Sequence, residues 1–468
     1  MMEKREKKFS IKSAIAFGFG QFSDTIAYQM FTFLTFTFYY SVVDLNINLI
    51  TLGFIIWSVW NALNDPLLGS ISDRTKTRFG RRKPYILISI GPLCLIVILL
   101  WFPPMINDAT KFFYFLIIIT LFEFFYTMFA VNRNSLFPEI FQDLENRAKA
   151  NTFRHVFSIM GLIIAFILPT LLIPKLTDSQ YYSNYGEAGI LIAIIMAIGA
   201  IIFIIFGTRE RVEFSEDSLN APSFLKSLKI SFKNKAFRTY VIAGLVNWYV
   251  YGMLPTIIPL YGEFVLNIQE GESILLGLLL GVAFISAALF IFLWRYVAVK
   301  IGMKKGFMLS MTIFIITLIP LLFISDVISA FISFFFVGLG LSGSFMFIDV
   351  IIPTIIDYDE IETGVRRDGG YFGINALIIR LSGIFTFLTI SLVFNSVGWT
   401  VFDPKGTTEQ TIFGLRSLMT IFPIIALIIG IISISRFPID KQKYQEIKIQ
   451  VEELHKQKKE KVNKKNQI

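Results

Sequence analysis

Four ionisable residues lie inside long apolar stretches of this 468-residue chain, Asp24, Asp65, Glu123 and Arg380, and a fifth, Arg154, falls at the entry to one. A charge at bilayer depth costs about 2.5–3.5 kcal/mol on insertion scales, so such a group usually faces a water-filled path or a partner. Gln21, Asp24 and Tyr28 recur at helical spacing and share one face. That face suits a hydrogen-bonding wall for a polar ligand; the competing reading is a polar contact between helices. Asn61 and Asp65 stand four apart, also on one face. An acid there can ligate a cation through oxygen, or carry a proton once desolvation raises its pKa. It can also be a structural acid paired with a basic loop residue. Glu123, in Leu-Phe-Glu-Phe-Phe, suits a second cation or proton site, or the counter-ion of Arg154. Arg154 and Arg380 can fork onto carboxylate, phosphate or sugar hydroxyls. Arg380 either pairs with Asp349 or faces the ligand. Trp248 and Tyr251, beside Asn247, can form an aromatic platform, although packing is the commoner role of such residues. Arg133, in Ala-Val-Asn-Arg-Asn-Ser, reads as the boundary of a span.

The elements that must position these residues are transmembrane helices. Hydrophobic residues make up 54% of the chain, charged residues only 16%, and mean hydropathy is +0.65, far from a soluble composition. Apolar runs long enough to span a bilayer fall near 14–41, 47–70, 85–103, 111–132, 152–174, 187–208, 238–262, 273–294, 306–324, 328–352, 370–396 and 411–434. Barrel strands would be shorter and strictly alternating. An all-α membrane protein is expected, with about twelve helices in two six-helix bundles. Its parts are a cytoplasmic N-terminus at 1–13, bundles at 14–208 and 238–435, a linker at 209–237, and a basic tail at 436–468. The linker carries both signs of charge, and a weak echo links the loops after the second and eighth spans.

Lys and Arg crowd the N-terminus, the 73–84 loop, the linker, the 295–305 loop and the tail. The positive-inside rule then puts both termini in the cytoplasm of a cell membrane. Topology accounts for the net charge of +9, and no basic soluble domain suggests nucleic acid. The N-terminus reads as an ordinary first span and not as a cleaved signal peptide. Cys94 is the single cysteine, and His155 and His455 are far apart, so disulfide, zinc, haem and Cys–His chemistry have no basis. No resident cofactor and no enzyme active site are expected. The acidic-then-basic segment 357–369 reads as a loop latching against the 73–84 loop. This inner gate would use Asp73, Arg74, Arg81, Arg82, Asp357, Glu360 and Arg366; an unlatched, solvated loop is the alternative. In the tail, Tyr444, Ile447, Val451 and Leu454 mark a narrow apolar stripe, as for a short helix on the membrane surface.

Taken together, these motifs resemble the glycoside–pentoside–hexuronide:cation symporter family, the melibiose permease branch of the major facilitator superfamily. The resemblance runs over about 14–435. It rests on Gly18-Phe-Gly-Gln-Phe-Ser-Asp24, Asn64-Asp-Pro-Leu-Leu-Gly69, Gly80-Arg-Arg-Lys-Pro84, Arg154, Asp357-Tyr-Asp-Glu-Ile-Glu-Thr-Gly364, Arg366-Arg-Asp-Gly369 and Gly414-Leu-Arg416. It implies that Asp24 and Arg154 bind sugar, that Asp65 is a cation-site acid, and that Arg380 stands where a functional lysine is usual. Asn61 and Ala130 replace two of that family's acids, which disfavours sodium and favours the proton as coupling ion; sodium at Asp65 stays open. Glu123 is similar to an acid of the lysolipid-transporting branch.

The expectation is a monomeric alternating-access symporter of a sugar- or glycoside-like solute and a cation, embedded in membrane lipid. Substrate-binding residues would be Asp24, Tyr28, Arg154, Arg380 and Trp248; coupling residues would be Asp65, Asn61 and Glu123. The alternatives are a lysolipid or amphiphile transporter of the same fold, and a membrane receptor or sensor that does not transport.

Overall fold

Polar caps punctuate an almost wholly helical chain. Ser10, Asn46, Asn107 and Asp326 each accept from a backbone N–H two or three residues on, which fixes four helix starts. The structure is a computed structural model that describes residues 10–75, 77–141, 144–208, 231–364 and 367–465. Of the predicted gate residues, Arg366 and the side chains of Asp73 and Arg74 lie outside the described residues, as does most of the predicted linker.

The first helices are α1 (Ile11–Thr37), α2 (Ile47–Arg74), α3 (Lys83–Leu99), α4 (Asp108–Ile140), α5 (Leu144–Leu172) and α6 (Tyr182–Ile202). The later ones are α7 (Lys235–Phe264), α8 (Ile274–Ile301), α9 (Met303–Leu318), α10 (Val327–Thr363), α11 (Asp368–Arg380), α12 (Ser382–Ser396), α13 (Glu409–Met419), α14 (Ile421–Ser435) and α15 (Lys441–Lys465). Single π turns extend α1 over Phe38–Val42 and α6 over Phe203–Gly207.

Among the described residues, ten helical stretches are long and apolar enough to cross a membrane, with α11–α12 and α13–α14 each counted as one. The other two expected crossings fall short for different reasons. The α3 helix has only 17 residues. The α1 helix has 27, but its run is diluted by Gln21, Ser23, Asp24, Thr25, Gln29 and four more threonines or serines, and it is buried along most of its length. The protein is thus an all-α, multi-pass membrane fold.

Two of the crossings are broken. Pro423 cannot donate to Met419, and the helix interrupts at Thr420. Ser382 and Gly383, a pair common at kinks, follow the break after Arg380.

The chain divides into two compact units. One holds the described residues up to 208 with Ile258–Gly281 and Phe394–Thr411; the other holds the remainder. In the first unit α1 packs on α5 and α6, α2 on α4, and α3 on α4 and α6. Its inserted segments close one end: Tyr40 donates to the Trp399 carbonyl at 2.5 Å, Lys175 pairs with Glu263 at 3.1 Å, and Ser273 donates to the Pro174 carbonyl at 2.7 Å. Thr177 also donates to Glu263. In the second unit α9 packs on α10 and α14, and α15 on α10.

Two expectations change here. The segment 357–363 is the last two turns of the 37-residue α10, which stops at Gly364 in the left-handed region (φ 71°). Its acids therefore sit on a helix and not in a loop. The tail helix docks on protein: Ile447 is 1% exposed, Val451 is buried, and His455 meets Glu360 at 3.1 Å.

Candidate functional site: a two-arginine cluster

Gly18 and Gly20 make α1 thin enough for its neighbours to come close. A Cβ on Gly20 would lie 2.7 Å from Phe203 and 3.0 Å from Arg133 Cδ. Through that gap Arg133 of α4 reaches Asp24, and its Nη2 lies 3.1 Å from Asp24 Oδ2. Arg133 is 1% exposed, so it is a deeply buried partner and not the boundary residue its polar neighbours suggest. It also donates from Nη2 to Asn134 at 3.1 Å.

Gln21 is the hub. Its Oε1 accepts from Arg133 Nη1 at 2.7 Å and from Arg154 Nη2 and Nε at 3.2 and 3.4 Å. Its Nε2 donates to Asp24 Oδ2 at 3.4 Å and to Thr25 at 3.1 Å. Thr25 in turn bonds Ser158 of α5, also at 3.1 Å. Arg154 lies on α5, near the start of its apolar stretch Lys149–Leu172, with its guanidinium 4.6 Å over the Phe137 ring. Asp24 and Arg154 are thus one hydrogen-bonded residue apart. Tyr28, one turn beyond Asp24, stacks on Tyr126 at 5.1 Å. Sequence reading put Gln21 on the Asp24 face but missed Arg133 as the residue that joins the cluster. Gly20 opposite Arg133 was the only available signal, and it shows itself only once the helices are paired.

The α2–α4 seam holds the second group. Asn61, Asn64, Asp65 and Leu68 share one face of α2; Asp65 is half-buried and the others are buried. Asn64 donates to the Glu123 backbone carbonyl at 3.1 Å, so α4 meets α2 there. Glu123 is 0% exposed and its Oε1 accepts from Thr127 at 2.9 Å. Arg154's described contacts are with Gln21, Phe137 and Phe17. No group of three Asp, Glu, His or Cys side chains suited to a metal ion exists among the described residues.

Charged pairs also gather near the helix ends. Arg81 and Arg82 meet Glu139 at 2.6 and 3.3 Å within the first unit. In the second unit Arg367 grips Asp359 with two bonds of 2.7 and 2.8 Å, and Tyr371 adds a third at 2.9 Å. Asp357 and Glu360 belong to the end of α10. Deeper in this unit, Trp248 and Tyr251 pack edge to face at 5.2 Å and both contact Phe345. Arg380 ends α11, where the helix C-terminus favours a cation. Asp349 lies exposed on α10.

These features agree with what the chain is similar to. A family described as MFS/sugar transport protein matches residues 16–441. An uncharacterized symporter of Synechocystis sp. is 23% identical over 95% of this chain and 97% of its own. The sodium-dependent lysophosphatidylcholine symporter 1 of Gallus gallus is 23% identical over 84% of this chain and 80% of its own. Among solved structures, a bacterial homolog of the human lysosomal transporter Spinster, inward-facing and occupied, superposes with a TM-score of 0.67 at 12% identity, covering 92% of this chain and 96% of that one. Its relatives and structural neighbours are transporters and not enzymes, and the chain belongs to the MFS/sugar transport protein family of the major facilitator superfamily.

Proposed function

We infer that this transporter is a cation-coupled symporter of an amphiphile of the lysolipid class. The carrying observation is the buried Asp24–Arg133–Gln21–Arg154 network. Charges held at this depth are costly, so they pair with one another and commonly mark a solute or ion path. The lysolipid reading draws on the likeness to lysophosphatidylcholine symporters over most of the chain. It takes precedence over the glycoside reading. One observation still favours a glycoside: Asp24 Oδ1 is buried with no hydrogen-bond partner among the described residues, as an acceptor for a sugar hydroxyl would be.

The proposed arrangement is twelve crossings in two six-helix bundles, with α1 and α3 as the two shorter or more polar ones. Both termini would be cytoplasmic, as the basic loops dictate. Asp65 and Glu123 would carry the coupling ion. With Asn61 and Ala130 neutral, a proton suits these two carboxylates better than a sodium ion, which wants more oxygen charge. Tyr28, Trp248 and Arg380 would complete the solute path, and Arg81, Arg82, Asp357 and Glu360 the inner gate.

Proteoliposome uptake tests this reading. Lysophosphatidylcholine should accumulate under an imposed pH gradient more than under a sodium gradient, and methyl glucoside should not. Asp65→Asn should abolish accumulation and keep exchange. Equal uptake with and without either gradient would remove the coupling, and accumulation of the glucoside alone would restore the sugar reading.

A further inference from the structure

The two arginines of the first unit bring more positive charge than their surroundings return. Asp24 neutralises Arg133. Arg154 makes no ion-pair contact with a carboxylate among the described residues; its donors turn to Gln21 Oε1, which Arg133 Nη1 also reaches. A single neutral amide oxygen therefore stands where two guanidinium forks converge. Hydrogen bonds from a guanidinium are strongest to an ionised oxygen, and the planar fork matches phosphate and carboxylate. Arg133 Nε is also buried with no hydrogen-bond partner among the described residues. Arg154 and Gln21 are half-buried, so part of each side chain stays accessible.

We propose that Gln21 Oε1 holds the place of a ligand oxygen, and that Arg133 and Arg154 together bind a phosphate or carboxylate group of the solute. The proposal rests on reading this cluster as the solute site, and it names the charged group the solute brings there. One monoanion balances two guanidiniums and one carboxylate, whereas a neutral glycoside leaves a cation over. Gln21 swings aside as the anion enters, and Thr25, already bonded to its amide nitrogen, keeps it close. Gln21 is therefore a positioning residue.

The test is equilibrium binding to the purified full chain with no ion gradient. The probes are glycerol 3-phosphate, methyl glucuronide and, as the neutral control, methyl glucoside, each read by thermal unfolding. Glycerol 3-phosphate or methyl glucuronide should raise the midpoint and methyl glucoside should not; which of the two anions acts tells a phosphate head from a uronate. Gln21→Glu fixes a carboxylate at the convergence and should weaken anion binding at least tenfold. Arg154→Gln should weaken it as much, with part restored by Arg154→Lys. Stabilisation by methyl glucoside equal to that by the anions, no stabilisation by either anion, or anion affinity unchanged in both Gln21→Glu and Arg154→Gln would overturn the proposal. Anion binding without accumulation under a gradient would instead refute symport and leave the anion site standing.

Discussion

Asp24 and Asp359 are both buried aspartates paired with arginine, yet they are built for different ends. Asp359 uses both oxygens: Arg367 holds it in a two-bond fork, and Tyr371, itself bonded to Asn234, fills a further lone pair. Asp24 gives one oxygen to Arg133 and Gln21 and leaves the other without a hydrogen bond among the described residues. A saturated carboxylate near a helix end is a clasp. An undersaturated one in mid-helix, beside a second arginine, keeps capacity for something that arrives. Residue type and burial are alike at the two sites; the number of satisfied lone pairs separates them.

The comparison breaks most sharply at Arg133. Arg133→Gln strands the Asp24 carboxylate and should destabilise the protein by about 3–5 kcal/mol, the usual cost of removing one partner of a buried pair. Asp24→Asn in the same chain should recover most of that loss without restoring transport. A thermal-unfolding double-mutant cycle reads both, and additive losses would mean that the pair is not coupled. Asp359→Asn comes next, at about 1.5–3 kcal/mol for weakened bonds to a charged group. It should leave solute affinity intact; an affinity loss matching that of Asp24→Asn would erase the distinction. Gly20→Ala should cost about 1–3 kcal/mol by overpacking and lower solute affinity, because the new methyl pushes on Phe203 and Arg133. Unchanged affinity would show that Arg133 tolerates displacement.

The smallest effect is expected away from both clusters, at Asp44 between α1 and α2. Desolvation raises its carboxyl pKa, with Lys111 opposing. A raised acid pKa favours the folded state at low pH, so stability falls as pH rises from the ordinary aspartate value through the raised one. Asp44 also holds a left-handed backbone (φ 58°), which asparagine tolerates. Asp44→Asn should flatten that pH dependence of unfolding and cost little. A steeper dependence would count against burial as the cause.

The all-α, multi-pass class was legible from composition, because a bilayer forces backbone polar groups into helices and the apolar runs mark them. The polar α1 and the 17-residue α3 fall short of that mark. At the site, the sequence pointed to Asp24, Asp65, Glu123 and Arg154, since a charge amid phenylalanine and isoleucine is conspicuous in one dimension. It could not reveal Arg133, whose flanking Asn132, Asn134 and Ser135 mimic a span boundary and whose depth depends on a glycine more than a hundred positions away. The acids at 357–363 misled in the opposite sense. Dense charge reads as a loop, but Glu360 is 1% exposed on the last turns of α10.

The grip of α15 on α10 has a practical corollary. Ile447, Val451 and the His455–Glu360 contact tie the tail to the far end of a helix of 37 residues. Any tilt of that helix must carry the tail with it, like a pointer on a lever. A fluorophore on the tail would then register such a tilt.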